Sequence, residues 1–273
     1  MSGPEVSPRM GLVCFAFGAA AVPFGGTLPN GQLSGRALIQ LMGDLGLSEA
    51  ASRSLLLRMR KEGWLTSERS GREAKYRLAP AIDAAQARIE RQLRGQRPDW
   101  AGYFNGILYE IPEPARAFRD RLRRTAQLLG YATLRSGLLV ATTDRWAELA
   151  SLLPGQPDGS QLLQVQVRLG EADSRLVAAR LWALDALADQ YRSVLAQARA
   201  RTDEAHQHPP GPAAFRAFTA ATLPIFDASA ADPDLPAELL PADWPGDQLG
   251  AALARAYRAF YPGIGGYLAA LAS

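Results

Sequence analysis

A chain of 273 residues exceeds one ordinary domain, and 48% hydrophobic residues are enough for real cores, so disorder of the whole chain is excluded. The formal net charge is only +3, but it is unevenly spread: thirteen Lys/Arg and seven Asp/Glu between Gly31 and Arg97 give +6 there and leave −3 elsewhere. A basic module on a mildly acidic remainder fits a nucleic-acid reader with other domains attached. The single cysteine, Cys14, excludes an internal disulfide and fits a reducing compartment.

In chain order, the first feature is the apolar run Met10–Phe24. It follows Arg9 like a leader peptide, yet it is shorter than the ~20 apolar residues that a membrane span needs. The run is expected to be a first buried helix, with Cys14 a buried structural thiol. Next, Ser34–Leu45 places Ala37, Leu38, Leu41, Met42 and Leu45 at helical spacing, and Gly46 is positioned to end that helix. Ser48 is a suitable N-cap for a second helix running to about Glu62, which Gly63 ends. Trp64–Arg69 and Arg72–Leu78 read as two strands about a Ser70-Gly71 turn. Helix, tight turn, helix and β-hairpin is the order of a winged helix-turn-helix.

On a helical wheel, Ala51, Leu55, Leu56 and Met59 of the second helix face a core. Arg53, Ser54, Leu57, Arg58, Arg60 and Lys61 occupy the other side, where a recognition helix presents donors to a major groove. Arginine can pair with a guanine edge through two hydrogen bonds, and Arg or Lys can hold phosphates. The hairpin adds Arg69, Arg72, Lys75 and Arg77, placed to lie along a phosphate backbone.

Ala81–Arg97 reads as a polar helical linker closed by Pro98. Strand Tyr103–Ile111, helix Pro114–Leu129, a hairpin of Ala132–Arg135 with Leu138–Thr142, helix Arg145–Leu153 and strand Leu162–Leu169 follow. That βαββαβ order is ferredoxin-like. From Glu171 the chain reads as helices only: a long one over Ala178–Ala200, then Ala213–Phe226, then Asp247–Tyr261 and Ile264–Leu271 on either side of Pro262-Gly263. The fold class is α+β, with expected domains at 1–80 (winged helix-turn-helix), 81–97 (linker), 98–170 (ferredoxin-like) and 171–273 (all-helical).

Several segments resemble one known family. Arg53 to Leu65, with Gly71-Arg72 and Tyr76-Arg77-Leu78, is similar to the winged helix of PaaX-type regulators. Leu181 to Leu187 with Tyr191 resembles that family's tryptophan-to-tyrosine helix, and Leu235 to Gly246 its C-terminal signature. The resemblance implies a winged helix, a ferredoxin-like middle similar to a small CRISPR-adaptation nuclease, and a helical C-terminal domain. It also implies a cytoplasmic, homodimeric repressor of phenylacetate-type catabolism genes. Such a repressor binds a double-stranded DNA operator and is relieved by an aryl-CoA thioester such as phenylacetyl-CoA. No catalytic residue, cofactor, metal or membrane partner is implied. Arg116, Arg119 and Arg123, at i, i+3 and i+7 on one helix face, are candidates for CoA phosphates, with Arg124 beside them.

Other chemistry has little support in the sequence. There is no P-loop for nucleotide hydrolysis. His206 and His208 lie in a Pro-rich loop with no cysteine or acidic cluster near them in sequence. A metal-dependent nuclease would need carboxylates near strand ends, such as Glu110, Glu113 and Asp144. An interaction protein without DNA could dock through Trp182, Tyr191, Trp244 and Tyr257.

Overall fold

The computed structural model describes residues 8–21, 31–70, 73–153 and 155–272. It combines helices with two antiparallel sheets, and its contacts group the chain into two units.

One unit draws its described residues from 8–95, Gln190–Ala231 and Pro245–Ser273. It opens with α1 (Pro8–Ala21), the buried helix expected from the apolar run; residues 22–24 of that run lie outside the described residues. α2 (Gly35–Asp44) starts where the Ser34 hydroxyl accepts from the Ala37 N–H at 3.0 Å. α3 (Glu49–Lys61) starts in the same way on Ser48, which accepts from Ala51 at 3.3 Å. Each hydroxyl satisfies one of the donors that a helix N-terminus leaves unpaired. Gly46 turns the chain between the two helices at φ +91, a conformation that glycine adopts without a Cβ clash.

β2 (Leu65–Ser70) and β3 (Glu73–Leu78) pair antiparallel in the register Leu65↔Leu78 to Ser70↔Glu73. A two-residue strand, β1 (Leu33–Ser34), adds to the free edge of β3. α4 (Pro80–Leu93) has proline in its first turn, where the missing N–H costs nothing. It packs on α9 (Pro212–Ala231) and α10 (Leu249–Ala272), and the segment expected to be a helix up to Arg97 leaves the helix after Leu93. Gly250 of α10 meets α4 so closely that a Cβ there would lie 1.6 Å from the Leu93 carbonyl oxygen.

One hydrophobic core runs through this unit. Phe15 of α1, Leu41 of α2, Leu56 and Met59 of α3, Leu65 and Leu78 of the hairpin, Phe218 of α9 and Phe260 of α10 are all buried in it. The Phe218 ring lies 6.0–6.1 Å from the rings of Phe15, Tyr257 and Phe260. Helices from the two ends of the chain thus exclude water from each other, and α3 is held by both.

The other unit comprises Gln96–Asp189 and Asp232–Trp244. Its strands are β4 (Phe104–Glu110), β5 (Ala132–Arg135), β6 (Leu138–Ala141) and β7 (Gln161–Val167), in the order β5-β6-β4-β7 with every pair antiparallel. α5 (Arg116–Leu128), after a 3-10 turn at Glu113–Ala115, and α6 (Trp146–Leu152) cover one face. Ile107 and Tyr109 of β4 bury against Leu122, Ala126 and Leu149 there. α7 (Glu171–Leu181) completes the unit. Within it, the Arg97 guanidinium lies 3.6 Å from the Asp232 carboxylate with both side chains buried, and Arg97 also donates to the Leu235 carbonyl.

Three helix expectations are corrected. The long helix over Ala178–Ala200 is two helices, α7 and α8 (Leu184–Asp203), because Ala183 takes φ +46 and cannot continue a right-handed helix. α9 runs on to Ala231 through Pro224, and α10 runs unbroken through Pro262. A proline removes one intrahelical donor, and at Pro224 the carbonyl so released has found another: the Arg201 guanidinium donates to Ala220 O at 2.5 Å. At Pro262 the close neighbour is Gly263, whose carbonyl accepts from Gly211 N–H at 2.8 Å.

Candidate nucleic-acid interface

The interface expected from the sequence centres on α3, and its wheel has one misplacement. Ser52, Leu55, Leu56 and Met59 form the buried face, while Ala51 is only half-buried. A small hydroxyl can pass into the core beside leucines, but the Ser52 oxygen has no hydrogen-bond partner there.

Arg53, Ser54, Leu57, Arg58, Arg60 and Lys61 are all exposed, and Leu57 is 55% exposed among the cations. Arg53 is held by Glu49 one turn earlier at 2.6 Å. Arg60 reaches the Ser67 hydroxyl of β2 at 3.5 Å. Among the described residues, Arg58 and Lys61 have no carboxylate partner. They sit with Arg60 in the last turn, where the helix dipole favours positive charge.

The hairpin divides its cations. Residues directly opposite one another share a face of a sheet, and neighbours alternate. Arg69 pairs with Ala74 and so shares the face of Ser67, Tyr76 and Leu78. Lys75 pairs with Glu68 and lies on the opposite face with Arg77. The α3 side therefore gathers Arg60, Ser67 and Arg69, and Lys75 belongs to a second surface. Arg72 lies outside the described residues. No local sequence signal announces β1, whose neighbour Gln32 donates its side-chain amide to Glu68.

The proposed effector arginines also separate. Arg119 and Arg123 line a cavity of about 490 Å³ with Tyr109, Glu110, Thr133 and Ser136. Arg116 does not line it and lies 3.9 Å from Asp120. Arg119 donates through both terminal nitrogens to Glu113 at 3.1 Å.

The residues of the alternative readings are engaged elsewhere. Glu113 holds Arg119, and the Asp144 carboxylate accepts from the Trp146 N–H at 2.9 Å at the start of α6. Among the described residues, no three His, Cys, Asp or Glu gather as a metal set. The His208 ring stacks 6.2 Å from Phe260. Tyr191, Trp244 and Tyr257 are buried, and Trp182 stacks on Phe104 at 6.2 Å, so these aromatics are packing and not a docking face. No described helix is long and apolar enough to cross a membrane.

The order of parts defines a class: two helices joined by a tight turn and followed by a basic hairpin, a four-stranded antiparallel unit and C-terminal helices. Three family models match in that order: PaaX-like protein over residues 12–82, PaaX protein central Cas2-like domain over 97–172, and PaaX-like protein C-terminal domain over 182–270. The chain belongs to the PaaX family. The transcriptional repressor PaaX of Escherichia coli (strain K12) is 27% identical over 218 residues, which are 77% of this chain and 68% of that protein. The solved structure of an uncharacterized protein from Mycobacterium tuberculosis is similar with a TM-score of 0.56 at 25% identity, over 98% of this chain and 99% of that one.

Proposed function

We propose that this chain is a transcriptional repressor that binds an operator in double-stranded DNA. The observation that carries the reading is the exposed face of α3, where among the described residues Arg58 and Lys61 have no carboxylate partner and Arg60 adjoins the hairpin. Unengaged guanidinium and ammonium groups on a protruding helix are what base edges and phosphates recruit. The relative named a transcriptional repressor supports the same reading. α2, α3 and the hairpin then form a winged helix-turn-helix. Arg53, Ser54, Leu57, Arg58, Arg60 and Lys61 face the major groove, and Arg69, Arg72 and Lys75 meet phosphates, Lys75 from the second face of the wing.

The strand order of the four-stranded sheet, with its two helices on one face, supports a ferredoxin-like middle domain. In this reading the protein is a cytoplasmic homodimer without catalytic activity. It controls aromatic-acid catabolism genes of the phenylacetate type and is relieved by an aryl-CoA thioester such as phenylacetyl-CoA. Effector binding favours a dimer whose half-site spacing no longer matches the operator.

A gel-shift titration of the full chain on the intergenic DNA upstream of its own gene tests this. Retardation that survives competitor DNA and is released by phenylacetyl-CoA is the expected result. Retardation that the thioester leaves unchanged overturns the effector, and absence of specific retardation overturns the repressor.

A further inference from the structure

The unit that holds α3 contains a second cavity, of about 550 Å³, beside the α2–α3 turn. Leu12, Leu45, Leu223 and Pro224 make much of its wall apolar, and Arg201 and Arg216 add two cations. Arg201 is fixed in place by the carbonyl that Pro224 releases. Among the described residues, neither arginine has a carboxylate within ion-pair distance. The one carboxylate in the wall, Asp44, is already occupied: the Gln40 amide donates to one oxygen at 3.2 Å and the Tyr267 hydroxyl donates to the other. An apolar hollow with two cations and a carboxylate already committed to two donors is matched to a negatively charged guest with an apolar body.

We propose that this cavity binds a small organic anion, an aromatic or branched-alkyl carboxylate or sulfonate, and that its occupancy sets the turn that leads into α3. Asp44, Leu45 and Gly46 supply the wall nearest α3, and Gly46 lies two residues before the Ser48 cap. A guest there touches the hinge of the helix pair directly. The regulatory consequence depends on the repressor reading; the binding site does not.

The test uses 8-anilinonaphthalene-1-sulfonate, an aromatic anion that fluoresces when it leaves water, with the full chain. Saturable binding of one probe per chain is expected. Displacement by 2-naphthoate is expected, and neutral 2-naphthalenemethanol should be at least about tenfold weaker. Ala220→Trp, which puts an indole into the cavity from an exposed position, should abolish binding. Arg216→Ala should weaken it about tenfold. Hydrogen exchange at residues 44–48 should slow when the probe is bound. If Ala220→Trp fails to fold, Arg216→Ala and the exchange measurement carry the test. Probe binding unchanged in both variants, or equal displacement by the neutral alcohol, overturns the site. Operator binding is measured on the same samples without probe. Its absence from the wild-type protein overturns the repressor reading and leaves the site to be judged by the fluorescence.

Discussion

α3 and α5 are both basic amphipathic helices, and they differ in which cations are engaged, although exposed Arg123 and Arg124 of α5 resemble Arg58 and Lys61 of α3 in having no carboxylate partner among the described residues. On α5, Arg116 lies near Asp120, Arg119 is gripped by Glu113, and Arg121 sits 5.3 Å from the centre of the Phe118 ring. On α3, among the described residues, only Arg53 has an ion pair, while the exposed Arg58 and Lys61 have none. Exposed ion pairs contribute little to stability, yet they commit donors that a phosphate would otherwise take. A run of arginines therefore marks an anion-binding face only where the surrounding acids leave it unengaged. The two helices also differ in support: α3 shares a core with α1, α9 and α10, and α5 packs on its own sheet.

The largest effect should come from exchanging the two faces. Arg58→Ala, Arg60→Ala and Lys61→Ala together should weaken operator binding by about 10³-fold, roughly 4 kcal/mol. Arg116→Ala, Arg119→Ala and Arg123→Ala together should change it by less than about twofold. Fluorescence anisotropy at fixed salt reads both. Comparable losses from the two sets would erase the distinction.

Core variants divide the units next. Phe218→Ala removes a ring packed against three others and should cost roughly 3–4 kcal/mol in denaturant unfolding. Operator binding should fall with it, because that core also carries α3. Arg97→Ala removes the buried cation 3.6 Å from the Asp232 carboxylate in the other unit and should cost about 3 kcal/mol there. Hydrogen exchange should show each loss confined first to its own unit.

Two smaller effects lie within the α3 unit. Burial pushes the Cys14 thiol up from 9.0 to about 11. The native chain should therefore react with Ellman's reagent at about pH 8 roughly a hundredfold more slowly than the unfolded chain. A folded value above the unfolded one means that this contribution to stability is full below pH 9.0 and is lost as pH rises to about 11. The smallest change is Ser52→Ala. Removing a buried hydroxyl that has no partner should raise stability by up to about 1 kcal/mol, read from the denaturation midpoint.

Local signals made most elements legible. Ser34, Gly46 and Ser48 bounded two helices because capping and left-handed turns are written in single residues. The hairpin of Ala132–Arg135 with Leu138–Thr142 and the strand Leu162–Leu169 were located by local pattern in the same way. What escaped depended on distant partners. Nothing near Leu33 announces a strand, since its pairing is with Tyr76. Pro262 read as a break, and the helix at Pro224 was ended too early at Phe226, because their neighbours in space were invisible. The exposed set on α3 followed from spacing alone, but the division of Arg69 from Lys75 required the hairpin register. The separation of Arg116 from the cavity at Arg119 required the neighbouring strands.

The most direct test of the central claim is a competition titration. The full chain is titrated onto its upstream intergenic DNA and onto a scrambled duplex of equal length, at about 50 mM and about 200 mM salt. The predicted result is preference for the natural duplex by at least about 10³-fold, with affinity falling steeply as salt rises. Equal affinity for the two duplexes would contradict an α3 that reads sequence.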